Sequence, residues 1–259
     1  MQAIKSLLFV PAEDRRLAKI GKTNANAYII DLEDSIAQEE KEKALARTVD
    51  FLKGCSAENL FVRINRKRYC TELKTLDQFQ VGFMLPKIES ESDYEAVQEI
   101  LRKHKVIALI ESAAGVMNSN SIASTSWVTA LAFGAEDFTV AANMSNDAES
   151  LSVPKSLISL AAKANQKMVY DTPCFQIHDA GVLNAELQQA IKLGYDGKLA
   201  IHPKQIDPIN EAFKLLDPEH MKYIIKTYES SGNAVCEING RVYEKLHIDR
   251  LKRMLMQER

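Results

Sequence analysis

The stretch VIALIESAAGVMNSNSIASTSWVTALAFGAED, residues 106–137, contains the pattern that decides the fold. Two short runs in it, Val106–Ile110 and Ala130–Gly134, are almost continuously apolar, which is typical of strands buried on both faces. The segment between them is long enough for the crossover that parallel neighbouring strands require. An acid follows each run, Glu111 directly and Asp137 shortly after. The stretch therefore predicts two parallel strands whose carboxyl ends carry acids.

The same alternation of a short apolar run with a longer helical segment repeats along the chain. The eight runs that we predict as strands are Ser6–Val10, Ala27–Leu32, Leu60–Ile64, Gly82–Lys87, Val106–Ile110, Ala130–Gly134, Lys167–Tyr170 and Lys198–Ile201. Strands that alternate with helices favour parallel pairing through right-handed crossovers. An open doubly wound sheet gives a similar pattern, but it usually carries a glycine-rich loop after its first strand, where this chain has Pro11-Ala12-Glu13-Asp14. We therefore predict an α/β fold, a (β/α)8 TIM barrel, ahead of the open sheet.

The strand count is complete near residue 205, and the chain continues beyond it. We predict a helix over about Asp207–Tyr228, a break at the Ser-Ser-Gly-Asn of 230–233, a short strand-like piece at Ala234–Tyr243 and a charged terminal helix. The predicted domains are a barrel domain at 1–228 and a C-terminal segment at 229–259. A tail of this kind after a complete barrel indicates a separate role.

Composition narrows the class of protein. The chain has 259 residues, 46% of them hydrophobic and 26% charged, which is ordinary for a soluble globular domain. A formal net charge of -2 argues against a general role on nucleic acid or on a membrane surface. The four cysteines are scattered without metal-binding or disulfide spacing, and the N-terminal apolar run is too short for a signal peptide. We therefore expect a cytoplasmic protein.

Polar residues cluster just after the predicted strands, where the loops of a barrel build its active site. They are Asp31, Glu33, Asp34, Arg63, Asn65, Lys87, Glu89, Glu111, Glu136, Asp137, Asp171, Thr172, His202 and Lys204. Glu111 and Asp137 come from neighbouring strands, so their carboxylates can meet. Since no His or Cys stands at matching positions, an all-oxygen site predicts Mg²⁺. Taken singly, each acid fits a helix cap at least as well, Arg63 fits a structural ion pair, and His202 fits a hydrogen-bonded structural role.

At these positions the sequence resembles the citrate lyase beta-subunit and malyl-CoA lyase family of acyl-thioester lyases. Seven motifs occur in the family's order and cover about residues 5–213. They are SLLFVP (6–11), IDLEDS (30–35), VRIN (62–65), LPKIES (85–90), ALIESAAG (108–115), AFGAED (132–137) and GYDGKLAIHPKQI (194–206). Each motif is weak alone, but all seven in order are very specific.

The resemblance implies a role for several residues. Glu111 and Asp137 would be the Mg²⁺ ligands, and Arg63 would bind the carboxylate or keto group of the substrate. An acidic group formed by Asp31, Glu33 and Asp34 would hold metal-bound waters, with Asp34 among the catalytic residues. Arg16 and Lys87 resemble basic positions on the side of the thioester carrier, and Glu111 would also contact the substrate.

The resemblance also implies a role for the tail. Barrels of the family associate as trimers or higher oligomers, and a C-terminal lid closes over the active site of the neighbouring subunit. The lid carries an acid in a Gly-Lys-Met-Ile/Val-Asp pattern, and the nearest match here is Gly240-Arg241-Val242-Tyr243-Glu244. Glu244 is one methylene longer than the family's aspartate. The first loop, Pro11-Ala12-Glu13-Asp14, also departs from the family's Pro-Gly-Asn.

The expected function is cleavage or formation of a short 3-hydroxyacyl thioester such as citryl-CoA, malyl-CoA or methylmalyl-CoA, with a 2-oxo acid as one partner. Mg²⁺ and Arg63 would activate and orient the hydroxy acid, and a lid carboxylate would move a proton at the enolate carbon. Two further functions fit the same residues. One is an aldolase on free 2-oxo acids, and the other is a subunit that is silent without separate acyl-carrier and transferase chains or that only binds. We expect a homotrimer or hexamer.

Overall fold

The computed structural model describes residues 4–55, 57–214 and 218–257. Eight parallel strands form a closed barrel in the order of the chain, and the last strand pairs with the first. The strands are β1 Ser6–Pro11, β2 Ala27–Asp31, β3 Leu60–Arg63, β4 Gly82–Leu85, β5 Val106–Ile110, β6 Ala130–Phe133, β7 Met168–Asp171 and β8 Gly197–Ala200. The closed barrel is confirmed and the open sheet is excluded. Strand β4 ends two residues earlier than predicted because Pro86 has no N–H for the ladder and Lys87 has a left-handed backbone (φ 51°).

The helices follow the strands and cover the barrel from outside. Those of the barrel unit are α1 Asp14–Leu17, α2 Lys41–Lys53, α3 Tyr69–Leu76, α4 Gln98–Leu101, α5 Ala113–Met117, α6 Ser119–Ser124, α7 Ala135–Ala142, α8 Ser152–Ala164, α9 Ala180–Lys192 and α10 Ile206–Ala212. Short 3₁₀ turns precede α2, α4 and α10. Among the described residues, no helix has the length and apolar character needed to span a membrane.

The interior of the barrel is filled by side chains from every strand. They are Leu7, Ala27, Ile29, Phe61, Met84, Ile107, Leu109, Ala130, Ala132, Tyr170 and Leu199. Because side chains alternate along a strand, the residue two positions after an interior residue also points inward. This alternation determines which residues at the strand ends face the mouth of the barrel.

The C-terminal part of the chain, from Phe213 onward, forms a second compact unit, and Ile4–Ala212 forms the first. The predicted single helix over about Asp207–Tyr228 is wrong, because the described chain has α10 followed by a separate helix, α11 at Pro218–Ser231. Pro218 begins α11, in keeping with the preference of proline for a first helical turn and its exclusion from helix interiors. The sequence-based division at 228 assigns α11 to the barrel, whereas α11 shares the cluster of Ile224, Ile238, Tyr243 and Ile248 with the tail.

The predicted strand-like piece of the tail is an antiparallel hairpin, β9 Val235–Ile238 and β10 Arg241–Glu244, followed by α12 Lys245–Gln257. Its two-residue turn is Asn239-Gly240, and both residues have positive φ (52° and 77°). Asn-Gly is the pair that such a turn favours, because asparagine and glycine adopt this backbone conformation most easily. Packing of this segment on a neighbouring subunit stays a prediction.

Candidate active site

A cavity of about 560 Å³ opens at the carboxyl ends of the barrel strands. It is lined by Phe9, Pro11, Asp31, Asp34, Ser35, Arg63, Leu109, Glu111, Gly134, Ala135, Glu136, Asp137, Thr172, Pro173, Phe175, Leu199 and Ile201. Several of these, including Asp31, Arg63 and Glu111, stand two positions after an interior residue of their strand. Because side chains alternate along each strand, the polar residues at these strand ends point into one cavity.

Arg63, the last residue of β3, is held by two acids, Asp31 at the end of β2 and Asp34 in the loop after it. Its Nε lies 2.7 Å from Asp31 Oδ1, its Nη2 lies 2.7 Å from Asp31 Oδ2, and its Nη1 lies 2.8 Å from Asp34 Oδ2. Asp31 and Arg63 are register partners on adjacent strands, so the pair is set by the sheet itself. The guanidinium also lies over the Phe9 ring, with Cζ 5.1 Å from the ring centre. Arg63 is thereby fixed in position at the wall of the cavity.

The charges of this group determine the ionisation of its members. Burial alone raises the pKa of Asp31, but the charge and hydrogen bonds of Arg63 outweigh burial and hold that pKa below its ordinary value. Burial also lowers the pKa of Arg63, and the surrounding carboxylates raise it further than burial lowers it. The three hydrogen bonds use three of the five N–H groups of a guanidinium. Two N–H groups, one on Nη1 and one on Nη2, therefore make no described hydrogen bond, and Nη1 also forms an ion pair with Glu33 Oε2 at 3.6 Å.

Glu111 follows β5 and is buried, with 4% of its surface exposed. Its Oε1 accepts a hydrogen bond from the backbone N–H of Lys87 at 2.8 Å. Burial and the nearby Glu33 and Asp137 raise the pKa of Glu111 to about 8. A Cβ atom built on Gly134 would lie only 2.7 Å from Glu111 Oε2, so the carboxylate occupies space that any larger residue would fill. The backbone of two other strand ends therefore fixes Glu111.

Asp137 lies in the first turn of α7, and the structure brings it to the same cavity as Glu111. The ammonium of Lys87 lies 3.9 Å from Asp137 Oδ2. Lys87 thus touches both acids, one through its backbone and one through its side chain. Within the described chain, no group of three or more His, Cys, Asp or Glu side chains could hold a metal ion. A site here would use two protein carboxylates, with water or substrate completing the shell, as is usual for Mg²⁺.

Glu33 supplies a direct test of whether this site fits a cation. Glu33 is buried, and its Oε2 has no hydrogen-bond partner among the described residues. Burial raises the pKa of Glu33 to about 7, against the lowering effect of Arg63. Glu33 Oε2 lies 3.6 Å from Arg63 Nη1, so Glu33 adds negative charge next to the guanidinium. The carboxylates of Glu111 and Asp137 line one cavity and are hard oxygen donors, so this pair fits Mg²⁺ with water or substrate oxygens completing the shell. Which of them bind it stays a prediction.

The structure does not bring every sequence-predicted residue to the cavity. Arg16 is exposed on α1 and is absent from the cavity lining, so its place beside a carrier stays a prediction. Glu244 is the last residue of β10, is exposed, and belongs to the C-terminal unit, where its backbone N–H donates to His247 Nδ1 at 3.1 Å. Its role as a lid acid is likewise untested.

Two polar strand ends have structural roles instead. Asp171 points away from the cavity into the helix layer, where it pairs with Lys198 at 2.8 Å and with Lys155 at 3.0 Å. Thr172, one residue later, faces the cavity, as strand alternation requires. His202 caps the following 3₁₀ turn by accepting from the backbone N–H of Lys204, which is the structural role that the sequence left open.

Sequence reasoning missed two buried charged residues, Lys41 and Glu72, that are close to the acidic group but outside the cavity lining. Lys41 donates from Nζ to the carbonyl oxygen of Leu32 at 2.9 Å and to that of Glu33. Glu72 Oε2 accepts from the backbone N–H of Asn65 at 2.6 Å. Both lie in helices and not at strand ends, so no motif pointed to them. The one available signal was a lysine in the first turn of a helix, where a cation is unfavourable.

Comparison with known proteins agrees with the fold and shows the family. A family model described as HpcH/HpaI aldolase/citrate lyase matches residues 5–203. A citrate lyase subunit beta-like protein of Deinococcus radiodurans is 30% identical over 226 residues, covering 81% of this chain and 80% of that protein. A (3S)-malyl-CoA thioesterase of Cereibacter sphaeroides is 28% identical, covering 94% of this chain and 90% of that protein. Protein CitE from Mycobacterium tuberculosis, solved in complex with magnesium, acetoacetate and coenzyme A, superposes with a TM-score of 0.81 at 26% identity, covering 99% of this chain and 98% of that one.

Proposed function

This chain belongs to the HpcH/HpaI aldolase/citrate lyase family, and we propose that it is a Mg²⁺-dependent carbon–carbon lyase. Its substrate would be a short 3-hydroxyacyl thioester such as citryl-CoA or malyl-CoA, cleaved to or formed from acetyl-CoA and a 2-oxo acid. The observation that carries the proposal is the meeting of Glu111, Asp137 and Arg63 in one cavity at the mouth of the barrel. Two carboxylates beside a fixed guanidinium suit a chelated hydroxy or oxo acid.

Arg63 would bind and orient the substrate carboxylate. Its guanidinium is immobilised by Asp31, Asp34 and the Phe9 ring, so little side-chain freedom is lost when an acid binds. Apolar residues of the cavity, among them Leu109 and Leu199, would exclude water around the reacting carbon. Asp34 is the exposed acid among those around Arg63, with 53% of its side chain exposed, and it would contact water or the substrate hydroxyl.

Glu111 and Asp137 would hold the metal, and Lys87 would keep Glu111 aimed through its backbone N–H. A Mg²⁺ ion bound there would act as a Lewis acid on the substrate oxygens and lower the pKa of the hydroxyl group. The structural neighbour from Mycobacterium tuberculosis was solved with magnesium and acetoacetate, which supports an acid and a metal sharing this site. Lys87 and Arg16 would face the thioester carrier.

Glu244 would supply the proton at the enolate carbon from a lid on a neighbouring subunit. In the hairpin register, Glu244 pairs with Val235 and Val242 pairs with Glu237, so these four residues share one face. That face is exposed: Val235 has 53% and Val242 has 52% of its surface accessible, whereas Tyr243 on the opposite face is buried. The hairpin thus presents a carboxyl group with apolar neighbours, as a lid that excludes water should. A homotrimer or hexamer would bring this face to the next barrel.

A second candidate is hydrolysis of a malyl thioester. A relative that covers 94% of this chain is named a (3S)-malyl-CoA thioesterase, which favours this reaction over aldol cleavage of a free 2-oxo acid. The same Arg63 and the same two carboxylates would bind the hydroxyacyl group, and water would attack the thioester carbon. The lyase and the thioesterase differ in their products, which are malate and CoA for hydrolysis and glyoxylate and acetyl-CoA for cleavage.

The deciding experiment incubates the purified protein and Mg²⁺ with citryl-CoA, malyl-CoA, methylmalyl-CoA and citramalyl-CoA and identifies the products. We expect an acyl-CoA and a 2-oxo acid, with activity abolished in Glu111→Gln and kept in Glu99→Gln, a matched change at an exposed residue. Aldol cleavage of a CoA-free substrate would support an aldolase on free 2-oxo acids. Turnover only after addition of acyl-carrier and transferase chains would support a partner-dependent subunit.

A further inference from the structure

Lys41 is a buried lysine at the first position of α2, with 5% of its surface exposed. Its Nζ donates to two consecutive backbone carbonyls, at 2.9 Å to Leu32 and also to Glu33. Burying an ammonium group is unfavourable, and a cation at a helix N-terminus is also repelled by the helix dipole. The ammonium group of Lys41 therefore lies at a position that both burial and the helix dipole disfavour.

The two carbonyls belong to the loop that carries the acids of the Arg63 group. In that loop the N–H of Leu32 donates to the carbonyl of Arg63 at 3.0 Å. The N–H groups of Glu33 and Ser35 donate to the two carboxylate oxygens of Asp31, at 2.9 and 3.1 Å. The same Asp31 oxygens accept from Arg63. The loop is thus held by Lys41 at its carbonyls and by Asp31 at its amides.

An ammonium group suits this position for a chemical reason. Its several N–H donors can satisfy neighbouring carbonyls that point to one spot, and it has no acceptor that would need a partner. Burial lowers the pKa of Lys41 below its ordinary value, and the charges of Asp31, Glu33, Asp34 and, from α3, Glu72 oppose that shift. A side chain without a donor, such as methionine, would leave the Leu32 and Glu33 carbonyls without this hydrogen bond.

We propose that Lys41 is a positioning residue, which holds the Leu32–Ser35 loop so that Asp31 and Asp34 fix the guanidinium of Arg63. These hydrogen bonds support the first step, that Lys41 holds the loop. The second step, that Lys41 thereby strengthens binding of an acid to Arg63, rests on the proposed function. Lys41 itself does not line the cavity, so it would act only through the loop. Loss of Lys41 would loosen the loop amides first and the Arg63 guanidinium next.

Lys155 provides the matched control. It is equally buried, with 2% of its side chain exposed, and it pairs with Asp171 in the helix layer on another side of the barrel. None of its described contacts is to the Leu32–Ser35 loop or to Arg63. Lys155→Met removes a buried ammonium as Lys41→Met does, so general destabilisation affects both variants while loosening of the loop affects only one.

The first test is hydrogen exchange by mass spectrometry at the loop amides, which requires no substrate. In Lys41→Met we expect the amides of Leu32, Glu33 and Ser35 to exchange about tenfold faster than in the wild type, and in Lys155→Met at the wild-type rate. Lys41→Arg, which keeps the charge and the donors, is measured beside them and should recover most of the protection. If a methionine variant does not fold, Lys41→Ala and Lys155→Ala replace the pair. Wild-type exchange at the loop in the Lys41 variant that lacks the donors, or equal acceleration in the matching Lys155 variant, would overturn the inference.

The second test is a double-mutant cycle on the Mg²⁺-dependent affinity for pyruvate, measured by calorimetry in Lys41→Met, Arg63→Lys and the double variant. If Lys41 acts through Arg63, its loss weakens pyruvate binding about tenfold in the wild type and much less in the Arg63→Lys background. Additive losses would show that Lys41 does not act through Arg63. If the wild type binds no 2-oxo acid, the proposed function fails, and hydrogen exchange alone decides whether Lys41 holds the loop.

Discussion

Arg63 and Asp31 form a buried two-point pair across β2 and β3, with Nε 2.7 Å from Oδ1 and Nη2 2.7 Å from Oδ2. Because they are register partners, the sheet itself fixes both ends of the pair. A guanidinium held in this way keeps one orientation, which is what recognition of a planar carboxylate requires. The pair is therefore the rigid part of the site.

Asp31→Asn should destabilise the fold. We expect the free energy of unfolding to fall by about 2–3 kcal/mol, somewhat less than the roughly 3–5 kcal/mol typical of a broken buried pair, since Asp34 and Glu33 stay near the guanidinium. Urea unfolding measures this. Asp34→Asn is the control, because its side chain is half exposed and its loss should change stability by less than about 1 kcal/mol. Equal losses in the two variants would contradict the buried character of the Asp31 pair.

Glu111→Gln should weaken Mg²⁺ binding by about tenfold or more, because one of the two proposed ligands loses its charge. Isothermal titration with Mg²⁺ alone measures the affinity without any substrate. Glu136→Gln is the matched control next to Asp137, since the carboxylate of Glu136 is occupied by Asn146 Nδ2 at 2.5 Å. If both changes weaken binding equally, general charge and not coordination by Glu111 holds the ion.

Gly134→Ala should reduce Mg²⁺ affinity with the barrel intact, because the new Cβ would lie 2.7 Å from Glu111 Oε2 and push that carboxylate aside. Gly54→Ala is the control, since a Cβ there meets nothing within 4 Å and Gly54 has an ordinary φ of -112°. Titration and circular dichroism on both variants separate the effects. Unchanged Mg²⁺ affinity in Gly134→Ala would show that Glu111 is not confined by β6.

Glu72→Gln should alter the pH dependence of stability. Burial raises the pKa of Glu72 to about 7, above its ordinary 4.5, so folding favours the protonated form. The contribution of Glu72 is then fully present below about pH 4.5 and is lost as the pH rises through about 7. The glutamine variant should match the wild type at low pH and exceed it above pH 7 by about 3 kcal/mol. Denaturant unfolding across this pH range checks the sign, and a pH-independent difference would contradict it.

Glu244→Gln should abolish turnover while Mg²⁺ affinity stays unchanged, if this residue is the lid acid of the neighbouring subunit. Mixing inactive Glu244→Gln and inactive Glu111→Gln subunits should then restore activity, since some sites combine an intact barrel with an intact lid, about one quarter for random mixing of equal amounts. Refolding the two variants together and assaying the mixture tests this. Absence of restoration in mixed oligomers would show that Glu244 serves its own barrel or none.

Much of the site could be predicted from the sequence because strands impose strong regularities. Glu111, Arg63 and Asp31 each follow an apolar strand by a spacing that strand alternation turns inward. The same rule, applied to Tyr170, would have turned Asp171 outward toward the helices and left Thr172 at the cavity, as observed. The error at Asp171 came from counting residues near strand ends without their alternation.

The sequence by itself determined the closed barrel and the acids at its mouth, because buried strands need near-continuous apolar runs and those runs are local and periodic. Only the tertiary structure showed that Lys41 reaches back to the carbonyls of Leu32 and Glu33, and that Gly134 leaves room for Glu111. It also grouped α11 with the hairpin and α12. Such contacts form when separate elements pack together. Packing produces no periodic pattern in the sequence, so these contacts cannot be predicted from it.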